Sequence, residues 1–396
     1  MWDERNALDL EKQLVSWRRL FHSNPEVSRK EEETSREIVA ILQSMGIEVL
    51  TFKDHFGVCG VIQGKYPGPT VALRSDMDAL PITEINDVPY RSKRPGVMHA
   101  CGHDGHMAIL LGVAKVFSLC HGEFAGTIKF IFQPAEEAAP IGGASLLIAD
   151  GVLEDVDVIF GLHLWPDLPC GHIGTRQGPL MAASDRIGIK ILGQAAHAGQ
   201  PQHGVDAITM AADVIQGLGH IMNRQIDPLE AATLSIGNIQ GGERHNVIAR
   251  EVLLDGTVRT LSEKIRRQIA NKVERTITGI TAAQGGSYVL DYQYGYPVLS
   301  NWAEPTDLII LAAQQVLDNE QIHSDVQPVL AAEDFGRYLE KVPGAFFWLG
   351  CGKEGEENYH LHSSYLDIDE KALLIGSTIM YKAVLLALTH YNKEKV

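Results

Sequence analysis

The sequence predicts an α/β fold: a mixed, mainly parallel sheet with helices on both faces, interrupted by a smaller α+β domain with an antiparallel sheet. Three observations lead there. Short apolar runs alternate with helical patterns over roughly the first 180 residues, the middle of the chain changes to alternating strands with two amphipathic helices, and roughly the last hundred residues return to the first pattern. At 396 residues the chain is also too long for one ordinary core.

The elements follow in order. Apolar residues recur at helical spacing from about residue 8 to 45, with Ser23-Asn24-Pro25 splitting the stretch into two helices and Gly46 ending the second. TVALRS (70–75), GTIKFIF (126–132) and VDVIFGL (156–162) read as strands. Between the first two, DGHMAILLGVAKVF (104–117) has helical periodicity. In the middle, RIGIKILG, ATLSIGNIQGG and VLLDGTVRT alternate like half-buried strands, and amphipathic helices are expected near 205–222 and 263–283. Tyr296-Pro297 breaks the pattern. Helix returns at 305–317, a short strand AFFWLG follows at 345–350, and a long helix at 370–391 closes the chain. The expected division is an outer domain built from 1–183 and 294–396, with 184–293 inserted.

Composition excludes several classes. Apolar residues make up 45% and charged residues 21%, the balance of a globular protein. A net charge of −16 repels phosphate backbones and anionic lipid, so nucleic acid and membrane surfaces are not expected partners. There is no basic stripe or aromatic platform for nucleic acid either. No run reaches the roughly 18 uninterrupted apolar residues of a membrane span. The opening MWDERNALDLEKQL lacks the basic start and apolar stretch of a signal peptide. Five cysteines, an odd number with no C-x-x-C, point to reduced thiols and a cytoplasmic location.

In open α/β sheets ligands bind just past the carboxyl ends of strands. Each of the three best strands runs into polar side chains: TVALRS into Asp76 and Asp78, GTIKFIF into Gln133 and then Glu136 and Glu137, VDVIFGL into His163. The densest segment is MHACGHDGH (98–106), with His99, Cys101, His103, Asp104 and His106 in a glycine-broken loop. A helix cap at Asp104 would need neither the cysteine nor the histidines. Thiolate and imidazole together favour borderline divalent metals. Cys101 and His103, two residues apart, would face one side if the segment is extended. Glu136 and Glu137 are adjacent and are expected to point different ways. That suggests one carboxylate on metal and the other beside water, an arrangement suited to amide hydrolysis. His360 and His362 lie in a polar loop near the chain's end.

Taken in order, RSDMDALP, MHACGHDGH, QPAEE, GLHLWP, AAHAGQP and HSSYLDID resemble the amidohydrolase branch of the dinuclear-metal aminoacylase and carboxypeptidase family, with hippurate hydrolase, N-acetyldiaminopimelate deacetylase and the auxin-conjugate hydrolases among its members. The likeness runs from about residue 14 to the last helix. It implies a zinc-exopeptidase-like catalytic domain and an inserted lid that mediates dimerisation. It implies two divalent ions per subunit (zinc, manganese, cobalt or nickel) on Cys101, His103, Glu137, His163 and His362. Glu136 carries over as general base and Asp78 as the aspartate that orients a ligand. His197 matches a lid histidine that approaches the reacting carbonyl, from its own or the partner subunit. Asn246 and Arg259 match lid residues that hold substrate, an arginine fork being suited to a carboxylate. The implied reaction is hydrolysis of N-acyl L-amino acids by a homodimer or homotetramer. A metallo-dipeptidase or carboxypeptidase is the alternative, and a metal-binding protein without catalysis a remoter one, opposed by the intact Glu136.

Overall fold

The expected strands at 70–75, 126–132 and 156–162 belong to one eight-stranded sheet in the computed structural model, which describes residues 4–120 and 122–393. The chain begins with helices α1 (Glu4–Ser23) and α2 (Glu32–Ser44). Strands β1 (Glu48–Thr51), β2 (Val58–Gln63) and β3 (Tyr66–Asp76) follow, then α3 (His103–Leu119), β4 (Ala125–Gln133), the short α4 (Ala144–Ala149), β5 (Val158–Pro169) and β6 (Ile173–Gly174). It continues through β7 (Gly178–Met181), β8 (Ala183–Leu192), α5 (Ala207–Arg224), β9 (Ala232–Gly241), β10 (Glu251–Thr260), α6 (Glu263–Ala283), β11 (Ser287–Tyr296) and β12 (Leu299–Asn301). Last come α7 (Ala303–Ala313), β13 (Ile322–His323), α8 (Gly336–Leu339), β14 (Gly344–Gly352) and α9 (Lys371–Lys393).

Two units result. Unit 1 spans 1–178, 300–327 and 334–396; unit 2 spans 179–299 and 328–333. The expected cuts at 183 and 294 fall at the start of β8 and inside β11, whereas the observed cuts lie just outside those strands.

In unit 1 the strand order is β1-β2-β4-β3-β5-β14-β6-β13. The four central strands β4, β3, β5 and β14 are parallel, and the β1–β2, β2–β4 and β14–β6 pairs are antiparallel. Strand alternation sends Val71, Leu73, Ile128, Phe130, Val158, Phe160 and Phe347 into the main core with α1, α3 and α9. Each fully buried side chain of this size contributes about 1.5–3 kcal/mol over leaving it in water. Phe346 turns to the opposite face and meets Phe335, just before α8, at 5.0 Å between ring centroids. Helix α9 is long and apolar enough by composition to cross a membrane, but its Leu373, Ile379, Ala383 and Val384 are buried in the unit 1 core. Helix α7 stops at Ala313, short of the expected 317, because residues 314–316 form a turn.

Unit 2 is an antiparallel sheet in the order β11-β8-β10-β9. Ile187, Ile189 and Ile191 of β8 face a core shared with α5 and α6, while Arg186, Gly188 and Lys190 alternate to the other side. Asp206 caps α5 by accepting from the Ile208 and Thr209 amides, and Ser262 caps α6 through the Ile265 amide. Strand β11 was not among the expected strands. Its SYVLDYQYGY repeat is mostly half-exposed, so tyrosine, aspartate and glutamine dilute the apolar alternation.

Candidate metal centre

The turns around the central strands decide which side chains meet. Cys101 and His103 do not share a side through an extended segment. Gly102 between them takes φ +88°, and His103 is the first residue of α3. This left-handed turn, which glycine adopts without a Cβ penalty, aims both side chains into one pocket. Gly102 is the N-cap, not Asp104, whose carboxylate instead accepts from the buried Arg18 at 2.8 Å and lies 2.8 Å from His22. After β4, Ala135 at φ +57° bends the chain just before the two glutamates. His163 does not follow its strand; β5 continues through it to Pro169. His362 arrives from the far end of the sequence, its amide donating to the Ala100 carbonyl at 2.6 Å with φ +67°. A side chain held in that left-handed region costs about 1–3 kcal/mol, a strain that clusters at functional sites.

The donor atoms of Cys101, His103 and His163 lie within 4.8 Å of one another, as do those of Cys101, Glu137 and His362, and those of His103, Glu136 and Glu137. Cys101 Sγ is 3.4 Å from His163 Nε2, and His362 Nε2 is 3.2 Å from Glu137 Oε1. The adjacent glutamates therefore converge on His103 instead of pointing apart. Glu136 is buried and Glu137 half-buried. His360 stands away from the group, exposed, with Nδ1 2.8 Å from Asp167.

Hydrogen bonds fix the tautomers. A carbonyl only accepts, so His163 Nδ1, 2.7 Å from the Leu164 oxygen, carries the proton and Nε2 keeps its lone pair. His103 Nδ1 donates in the same way to the Asp78 carbonyl at 2.9 Å, with Asp78 Oδ1 at 3.3 Å. Among the described residues, His103 Nε2 is then left buried with no hydrogen-bond partner, and so is Glu137 Oε1. Asp78 accepts from the Ser28 hydroxyl at 2.6 Å and the Glu137 amide at 3.0 Å, so it holds both a ligand candidate's ring and another's backbone.

The pocket calls for positive charge. Burial opposes a charged His103, yet Asp76 and then Asp78 push its pKa up to about 10. Burial, followed by Glu137 and Glu136, raises the Cys101 thiol well above its ordinary value. Burial pushes Asp78 up, but hydrogen bonds from His103 and Ser28 bring it below its ordinary value. Three imidazoles, the Cys101 thiol and the Glu137 carboxylate form a donor set that fits a borderline divalent metal, which would take the place of the proton on His103 Nε2.

Sequence reading assigned no role to Asp76, His106, Arg74, Gln133 and Asp334, which form a buried network beside this cluster. One signal was available: His106 is three residues after His103, on the same helix face. The remaining expected residues lie in unit 2. His197 and Asn246 are exposed on neighbouring segments, the Ala198 amide donating to the Asn246 carbonyl at 3.0 Å. His197 Nδ1 accepts from the Gly199 amide at 3.0 Å. Arg259 lies on β10, half-buried, without a salt bridge among the described residues; burial lowers its pKa, with Asp185 opposing.

Residues 72–386 match Peptidase family M20/M25/M40. The chain is 46% identical over 291 residues to an N-acyl-L-amino acid amidohydrolase of Geobacillus stearothermophilus, covering 74% of this chain and 78% of that protein. It is 39% identical over 391 residues to an N-acetyl-L-cysteine deacetylase of Bacillus subtilis, covering 99% of this chain and 92% of that protein. A dinuclear metal-binding peptidase of the M20 family from Bacillus subtilis superposes with a TM-score of 0.84 at 35% identity, over 96% of this chain and 99% of that one. With the family match and these identities sustained over most of its length, the chain belongs to peptidase family M20/M25/M40 and is a hydrolase acting on amide bonds.

Proposed function

We propose that this chain hydrolyses N-acyl L-amino acids to a carboxylic acid and a free amino acid, using two divalent metals and Glu136 as the proton carrier. The observation that carries the reading is the donor set, which divides into two halves sharing the Cys101 thiol: His103 and His163 on one side, Glu137 and His362 on the other. When bound, such cations lower the pKa of water and polarise a carbonyl. The protein's own part follows from the residues. Glu136 is buried, and its carboxylate lies within 4.8 Å of His103 and Glu137 donor atoms, so it can take a proton from the attacking water and return it to the leaving nitrogen. Asp78 holds the His103 ring and the Glu137 amide while that happens.

The same reading gives unit 2 the substrate. Arg259, half-buried and without an ion pair among the described residues, suits the amino acid's carboxylate through its two-pronged fork. Asn246 adds a hydrogen bond to it, and His197 polarises the reacting carbonyl of its own or the partner subunit's substrate. The thiol and imidazoles favour zinc, cobalt or nickel, with manganese also to be tried; elemental analysis of the purified protein decides. All five cysteines are free, which supports a reducing, cytoplasmic setting that cell fractionation would check. The assembly is a homodimer, for which light scattering should return twice the 43.4 kDa of one chain.

The test is a substrate panel run with each metal restored: N-acetyl amino acids, benzoylglycine, and unblocked dipeptides. Faster turnover of the N-acyl amino acids is expected. A clear preference for dipeptides would make this a peptidase, the reading that shares its metal chemistry.

A further inference from the structure

His106 and Asp76 stand among the metal-capable groups, yet their bonding excludes them from that work. We propose that His106, oriented by Asp76, is a positioning residue that fixes the stretch of β5 bearing His163, and that it is not itself a ligand. The inference rests on the reading that Cys101, His103, Glu137, His163 and His362 hold metal.

The pairing of β3 with β5 ends at Arg74 opposite Gly161. Further along β5, the Leu164 amide donates to His106 Nε2 at 2.8 Å. That bond uses the Nε2 lone pair and puts the ring's proton on Nδ1, which donates to Asp76 Oδ1 at 2.6 Å. Neither ring nitrogen keeps a lone pair for metal. The other Asp76 oxygen accepts from Arg74 at 2.9 Å, and the same guanidinium donates to Asp334 at 2.8 Å and to Gln133 at 2.9 Å. The side chains of Arg74, Asp76 and Asp334 are fully buried. One chain of hydrogen bonds thus joins the ends of β3 and β4 to the middle of β5.

Leu164 shows what the network does. Its amide is held by His106, and its carbonyl accepts the Nδ1 proton of His163. Turning Leu164 would swing away the carbonyl that orients the His163 ring. The two rings also pack edge to face, 4.6 Å between centroids at 71°. His106 therefore acts on the cluster through His163.

The side-chain geometry supplies graded variants. In His106→Gln the amide carbonyl reaches the place of Nε2 and can accept from Leu164. In His106→Asn the amide nitrogen takes the place of Nδ1 and can donate to Asp76, but the Leu164 bond is lost. His106→Ala loses both. Each full-length variant, after melting curves confirm folding, is titrated with Co²⁺ alone, reading the equivalents bound at saturation, the affinity, and the cobalt absorption spectrum. The expected result is two equivalents in the wild type and in every folded variant. Affinity in His106→Ala should be weaker by about 10–100-fold, with Gln retaining more of it than Asn. Saturation of a folded variant at one equivalent would make His106 a ligand and overturn the proposal. Unchanged affinity in His106→Ala would overturn it as well, as would Asn outperforming Gln. If His106→Ala does not fold, the Gln and Asn pair still decides. A wild type that binds fewer than two equivalents would instead overturn the metal reading beneath it.

Discussion

His99 sits two residues before Cys101, buried, with both ring nitrogens lacking a hydrogen-bond partner among the described residues. Burial lowers its pKa to about 3, with Asp104 only partly opposing. An unfolded chain protonates this ring near 6.5, so between about pH 3 and 6.5 the unfolded state binds the extra proton. Stability from this group is therefore full above 6.5 and lost as pH falls through that window. In metal-free protein, His99→Leu should flatten the pH dependence of urea unfolding between about 3 and 6.5 and leave stability at pH 7 level or higher. An unchanged slope would contradict the buried neutral state. At this scale the sequence showed the ligand candidates because cysteine, histidine and glutamate are conspicuous after apolar strands. It did not show how they would be aimed. Gly102 replaced the expected extended geometry with a left-handed turn, and Ala135 bent the glutamates together. Asp76 and His106 are metal-capable by residue type, and only their hydrogen bonds show which of their lone pairs are already used.

Elements with a clear apolar period were legible, and those fixed by polar contacts were not. Strands β3, β4 and β5 announced themselves by valine, isoleucine and phenylalanine. Strand β11 is held partly by Asp185, a buried carboxylate on β8 that accepts from Arg266 of α6, from the Tyr292 hydroxyl at 3.0 Å and from the Gly295 amide at 3.0 Å. No periodicity reports such a junction. Arg266 is itself nearly buried, so its truncation leaves the Asp185 charge unpaired inside unit 2. Arg266→Ala should destabilise unit 2 by about 3–5 kcal/mol, read from urea or thermal unfolding. A loss below about 1 kcal/mol would mean that the tyrosine and backbone donors suffice on their own.

At the scale of the whole molecule, a chain whose two ends build one sheet gathers its metal candidates from positions 101 to 362. The change of pattern near 184 and the break at Tyr296-Pro297 made the inserted segment visible. The observed cuts fall at 178/179 and 299/300, within the short strands β7 and β12, which pair with each other and are too short for apolar patterning to register. The central claim is a division of labour between neighbouring carboxylates, Glu137 on metal and Glu136 on the proton. It is tested most directly by Glu136→Gln, loaded with metal and assayed with an N-acetyl amino acid beside elemental analysis of the same sample. The expected result is a full metal complement with turnover reduced by about 10²–10⁴-fold. Near-wild-type turnover would contradict the account, and so would loss of metal, which would make Glu136 a ligand.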